Sequence, residues 1–223
     1  MLRDEIPIIL LGATNVGKTS LMQQYTNQIC DINTLSTIGY EFKMKTIKIK
    51  IDNVEKDVKI KIWDSVGQEI YFEQVLVALK NCLGSLIVYD ISNKKSFELV
   101  DKWLDNIYNI KEKKKFPIIL IGNKFDLNEE RVVSFEEGKK KADLYQIDFY
   151  EISTKNNINV ENIFKYLIDK IVQIHQNEFF EGIDTNHFEL KKKKYEKKKG
   201  NWCGMGIKKK KRFKINIFFI FCF

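Results

Sequence analysis

Two periodicities alternate along this chain. Residues 6–11 (IPIILL), 85–90 (SLIVYD) and 117–122 (PIILIG) are nearly continuous apolar runs, the pattern of strands buried on both faces. Residues 41–51 (EFKMKTIKIKI) and 54–63 (VEKDVKIKIW) alternate apolar with charged positions, as half-exposed strands do. Between them "IDNVE" reads as a turn, which makes the two an antiparallel pair. A sixth strand is predicted at 148–152. Helical spacing predicts helices over 18–26, 69–80, 96–111, 135–144 and 160–176. Ser134 and Glu137 have the spacing of a capping box for the fourth helix, and Val160, Ile163, Phe164, Leu167, Ile168 and Ile171 form a core stripe in the last. This rhythm predicts an α/β fold: a six-stranded, mostly parallel sheet with one antiparallel pair and helices on both faces.

Charge changes the picture of where that fold stops. Of 38 Lys and Arg in the 223 residues, thirteen lie from Lys191 onward against one acid, Glu196. The remaining 25 face 29 acids, so the globular part is mildly acidic and is not expected to bind nucleic acid. The expected division is a folded domain over 1–176 and a basic, disordered tail over 177–223. Cys30, Cys82, Cys203 and Cys222 form no C-x-x-C pair, which fits a reducing compartment, and His175 and His187 stand alone. The N-terminus lacks a signal-peptide layout, and no run approaches the roughly 20 apolar residues needed to span a bilayer. A cytosolic protein is expected.

Chemistry enters at "GATNVGKTS", residues 12–20, directly after the first strand. Gly12, Gly17, Lys18 and Thr19 have the spacing of a phosphate-binding loop. Its glycines let successive backbone N–H groups turn inward onto phosphate oxygens; Lys18 adds a point charge, Thr19 a hard oxygen for Mg²⁺. Thr14, Asn15, Val16 and Ser20 complete the loop and the start of its helix. Further motifs sit near the carboxyl ends of strands, the ligand-binding edge of open α/β sheets: "WDSVGQE" with Asp64, Gly67 and Gln68, "NKFD" with Asn123, Lys124 and Asp126, and "STK" with Ser153, Thr154 and Lys155. "STIG" places Thr37 and Ile38 before the second strand. Asp126 speaks to the base: a carboxylate only accepts, and guanine, unlike adenine, offers two adjacent donors. An ATPase or nucleotide kinase would share residues 12–19 but has no reason to carry "NKFD" and "STK". Trp63 shares its strand face with Lys59 and Lys61, so it is either a partner contact or an indole covered by a neighbouring loop.

Taken in order, these motifs resemble the small GTPases of the Ras superfamily over roughly residues 5–176. "IGYEF", "KIKIWD" and "IVYDIS" resemble segments of the Rab family in particular. The resemblance implies a P-loop G domain that switches between GTP and GDP with Mg²⁺ and regulates vesicle traffic. It implies phosphate contacts from Lys18 and the loop amides, Mg²⁺ ligation by Thr19, Thr37 and Asp64, γ-phosphate sensing by Gly67, and a catalytic Gln68 orienting water. Asn123, Lys124, Asp126, Ser153, Thr154 and Lys155 would hold the base. Hydrolysis is expected to be slow without a GTPase-activating protein, because no arginine stands in the Thr37 loop. Exchange factors and effectors are the other expected partners, with Ile38, Phe42 and Trp63 as candidate effector contacts, and the chain is expected to be monomeric. Two positions depart from the family. Cys30 replaces an aromatic expected against the guanine, and Ala78 replaces a tyrosine that would complete an aromatic cluster with Phe42 and Trp63.

The tail admits two readings, a solvated segment or a basic tether to anionic membrane, the latter implying cycling to the cytosolic face of intracellular membranes. Cys222 and Cys203 do not form a recognised prenylation ending, and Leu2 excludes N-myristoylation. Residues 204–223 have the Lys, Ile and Phe bias of a translated AT-rich stretch, so the native chain is expected to end differently beyond about Cys203.

Overall fold

The computed structural model describes residues 3–27, 41–51, 54–65 and 72–180. Six strands form one sheet: β1 (Glu5–Leu11), β2 (Glu41–Ile51), β3 (Val54–Asp64), β4 (Gly84–Asp90), β5 (Ile118–Asn123) and β6 (Asp148–Glu151), in the order β2-β3-β1-β4-β5-β6. Every neighbouring pair is parallel except β2 and β3. The runs expected to be strands are strands, each within a residue or so of its predicted bounds. β1 lies between β3 and β4, so the chain leaves it toward one side of the sheet and later returns on the other. The crevice at its carboxyl end is where such a sheet takes a ligand.

Both faces are covered. α1 (Lys18–Asn27) and α6 (Val160–Ile174) pack over one side, bringing Tyr25 onto Phe164 with ring centroids 3.8 Å apart. The predicted α6 stripe is wholly buried. A Cβ on Gly84 would lie 2.9 Å from Ile171 Cδ1, so the missing side chain is what lets α6 sit down on β4. The other face, with Ile9, Leu11, Ile87, Tyr89 and Leu120, packs against α2 (Phe72–Asn81), α4 (Val100–Tyr108) and α5 (Phe135–Tyr145). The capping box on α5 is complete: Glu137 N–H donates to Ser134 Oγ at 3.1 Å, and Ser134 N–H to Glu137 Oε2 at 2.9 Å.

Two expectations need correction, and one element was unforeseen. The helix predicted over 96–111 is two, α3 (Lys94–Glu98) and α4, divided at Leu99. It starts early because the Asn93 side chain accepts from Ser96 N–H, and it ends early, freeing Lys111 to bond the Lys80 and Cys82 carbonyls at 2.6 and 2.9 Å. A 3-10 helix over Phe125–Glu130 had no periodic signature. The folded chain also passes the boundary expected at Gln176. α7 (Gln176–Phe179) buries Phe179 and Phe180, and Arg3 closes on it through Glu178. His175 has a structural place, with Nδ1 2.6 Å from Glu178 Oε1 and Nε2 3.1 Å from the Lys115 carbonyl. Cys82 is a free buried thiol, pushed up to about 12 by that burial. Cys30, Cys203, Cys222, His187 and the tail beyond residue 180 lie outside the described residues, within which no helix is long and apolar enough to cross a membrane.

Candidate functional site

The loop after β1 takes its shape from two glycines. Gly12 has φ +141°, and a Cβ there would stand 2.1 Å from the Val88 carbonyl oxygen of β4. Gly17 has φ +94°, with Asn123 Nδ2 only 2.5 Å from where a Cβ would be. No L side chain fits either position without strain. Thr14 and Asn15 are exposed at the rim, and Val16 turns inward. α1 then begins at Lys18, presenting its N-terminal amides and dipole to the loop.

Lys18 is 6% exposed and folds back over the loop, donating to the carbonyls of Gly12 at 3.0 Å and Ala13 at 2.6 Å. Burial lowers its ammonium to about 8, while the Asp64 charge pulls the other way. An anion in the loop would relieve that desolvation, as a phosphate does. Next to it the Thr19 hydroxyl donates to Asp64 Oδ2, and Asp64 is fully buried at the end of β3. Ser65 fixes that end by donating to the Leu10 carbonyl at 2.7 Å.

Asn123, the last residue of β5, joins this loop to the rest of the site. Its Nδ2 donates to the Val16 carbonyl at 2.8 Å, and its Oδ1 accepts from Thr154 N–H at 3.2 Å and the Thr154 hydroxyl at 2.9 Å. With Asn123 only 2% exposed, all three bonds are shielded from water. Asp126 accepts from the Ser153 hydroxyl, which fixes one carboxylate oxygen. Ser153 is itself held by a two-way backbone bridge to Ile158 and by Asn156 N–H at 3.1 Å. Lys155 is exposed beside them. Lys124 adopts the left-handed φ of 66° and places its ammonium 2.7 Å from Asp90 Oδ2. Asp90 was missed from the sequence. It ends an otherwise apolar strand, buried and further held by Ser92 N–H at 2.8 Å.

The structure thus brings residues 12–20, Asp64, 123–126 and 153–155 to one edge of the sheet. Thr37, Ile38, Gly67 and Gln68 lie outside the described residues. Phe42 and Trp63 are not in this cluster. They pair across β2 and β3, Phe42 exposed and Trp63 half-buried against the core on the α2 face.

Residues 7–173 match the sequence model of the Ras family. Human Ras-related protein Rab-3D is 37% identical over 166 residues, covering 74% of each chain. Human Rab-3A is 36% identical over 178 residues, 80% of this chain and 77% of that one. Rab-10 of Caenorhabditis elegans is 38% identical over 165 residues, 74% of this chain and 80% of that one. The chain belongs to the Rab family of Ras-related GTPases. As a Rab GTPase it binds guanine nucleotide, hydrolyses GTP and serves membrane traffic. The Rab fold accounts for the arrangement: three loops lie at strand ends, and Asn123 ties the loop at 12–20 to the one at 153–155.

A metal has a place here as well. Among the described residues no three His, Cys, Asp or Glu gather as a metal-binding group. The Thr19 hydroxyl and the Asp64 carboxylate are a different donor set, two hard oxygens beside a phosphate loop, and they fit Mg²⁺, which takes few protein ligands and shares itself with phosphates.

Proposed function

We infer that this GTPase is a Mg²⁺-dependent GTP/GDP switch whose parts act as follows. Lys18 and the amides of residues 12–20 hold the β and γ phosphates. Thr19, Thr37 and Asp64 would hold Mg²⁺, whose chemistry is neutralising charge on phosphate oxygens. Gly67 responds to the γ phosphate and Gln68 orients the attacking water. Asp126 accepts from the guanine edge while Asn123, Lys124, Ser153, Thr154 and Lys155 brace and cover the base. The observation that carries this reading is the Asn123 side chain, bonded at once to Val16 and to Thr154. It makes phosphate and base recognition one rigid unit, as a site for a whole nucleotide requires.

With so little covalent work for the protein, positioning and charge set the rate. Intrinsic hydrolysis is slow, and an activating protein supplies charge in trans. An exchange factor reloads the site, and effectors read the loaded state through Ile38, Phe42 and Trp63. Residues 1–180 act as a monomeric domain, and the basic tail draws it to the cytosolic face of anionic membranes. Titrating GTP against ATP tests the base assignment, with GTP expected to bind far more tightly. Single-turnover hydrolysis of Gln68→Leu tests the chemistry: affinity is retained and activated hydrolysis falls by orders of magnitude. Equal binding of the two nucleotides, or an unchanged rate, would overturn the corresponding half.

A further inference from the structure

β2 is the edge strand, and its register with β3 fixes which side chains share the face turned away from α1 and α6. Phe42 stands opposite Trp63, Met44 opposite Lys61, Thr46 opposite Lys59, Lys48 opposite Asp57 and Lys50 opposite Glu55. Charge is unevenly spread along these rungs. At the far end each lysine meets an acid, and Lys50 Nζ lies 2.9 Å from Glu55. Lys59 meets Thr46 on β2 but Glu5 on β1, and its charge also acts on Asp4; Lys61 meets only Met44 and Pro7, and among the described residues it forms no ion pair. Lys61 instead holds its ammonium 4.3 Å from the Phe42 ring centroid and 4.6 Å from that of Trp63. The two rings are 5.0 Å apart, and beside them Phe42 and Met44 are 47% and 44% exposed. A cation over aromatic faces is attracted but not neutralised. The result is an apolar floor with one unmatched positive charge, that of Lys61, along one side.

We propose that this face selects a protein partner whose apolar anchor, seated on Phe42, Met44 and Trp63, is flanked by an acidic side chain that pairs with Lys61. The inference rests on reading Phe42 and Trp63 as effector contacts, and adds the chemistry of what they take. Charge complementarity favours a compact acidic segment over an extended anionic surface. A membrane laid across the face would also meet Glu5, Asp57 and Glu55, whereas a helix can occupy the Phe42 to Lys61 end alone.

The test pans a displayed library of helical peptides, randomised on one face, against the full chain loaded with a non-hydrolysable GTP analogue. Binders are expected to carry Asp or Glu within one helical turn of a large apolar residue. Against Lys61→Glu the affinity of such a peptide drops about tenfold or more, and changing its acid to lysine restores binding. Lys61→Gln gives a smaller loss of the same sign, and retention of fluorescent GDP shows that both variants fold. Phe42→Ala separates the two readings. If it abolishes binding while Lys61→Glu shifts affinity by less than about twofold, the docking surface stands and the charge selection is wrong. If no binder responds to Phe42→Ala, the docking assignment itself falls, and this proposal with it. Binders free of acids overturn it, as does a Lys61→Glu defect seen only on phosphatidylserine vesicles.

Discussion

Replacing Gly17 by alanine burdens one atom twice. At φ +94° a side chain costs about 1–3 kcal/mol of backbone strain. The new Cβ also falls 2.5 Å from Asn123 Nδ2, so the amide must turn away and give up its 2.8 Å bond to the Val16 carbonyl. A buried acceptor left without that partner costs about 1–3 kcal/mol more. Gly17→Ala should therefore destabilise by about 2–6 kcal/mol. Asn123→Ala deletes the same bond and the two to Thr154, about 2–4 kcal/mol. In the double variant the Val16 bond is lost only once and the clash has no second partner. The double should then fall short of the sum by about 1–3 kcal/mol. Urea unfolding followed by tryptophan fluorescence measures this, run at two GDP concentrations so that the ligand's contribution can be separated. Additivity to within about 0.5 kcal/mol would refute the reasoning, because it would mean the two residues share no contact in solution.

Other expected outcomes follow from single contacts. Asp126→Asn should weaken GTP by several kcal/mol, on the order of the penalty for mispairing a buried polar group, and tolerate xanthosine nucleotides; fluorescent-nucleotide titration checks it, and an unchanged guanine preference contradicts it. The Lys94 ammonium and the Ser134 N–H hold the Glu137 carboxyl at about 2 against an ordinary 4.5. Its folded value is depressed, so its contribution is present above about 4.5 and is lost as pH falls toward about 2. The melting-temperature gap between wild type and Glu137→Gln should close over that window, and a gap independent of pH counts against the ion pair. Arg131 holds Glu151 through two bonds of 2.6 and 2.9 Å in a mostly buried place, so Arg131→Met should cost about 3 kcal/mol or more, with part recovered by adding Glu151→Leu. Urea melts of wild type and the two variants decide it.

What could be read from the chain was whatever repeats or is spaced. The alternation in 41–51 and 54–63 gave both strands, because burying one face forces every second residue inward, and the turn signal of "IDNVE" between them gave their pairing. The phosphate loop was legible because backbone curvature demands glycine at two fixed places. Leu99 was not: its dihedrals, φ −69° and ψ −14°, remain near helical values, and the break between α3 and α4 leaves the apolar spacing intact. Asp90 escaped because nothing local distinguishes a carboxylate ending a strand from a solvated turn residue. Its role exists only through Lys124, 34 positions further on. Phe179 and Phe180 escaped for a similar reason, since two aromatics beyond a helix carry no period, and the residues that tie this segment down, Arg3 and Lys56, lie far from it in the chain.

The eleven paired positions from Ile51↔Val54 to Glu41↔Asp64 have a bearing on how such a chain can change over generations. Asp64 is aligned with Leu10 on one side and with Glu41 on the other, and Trp63 sits one step before it. One residue added to β3 short of Trp63 would either turn the indole to the opposite side of the sheet or carry the carboxylate away from Thr19. A mutation that alters strand length thus strikes the proposed metal ligand Asp64 and the proposed partner contact Trp63 together. The lock lies on the paired positions, so length variation among descendants of this sequence should collect outside residues 41–51 and 54–64, and the strands should evolve by substitution alone.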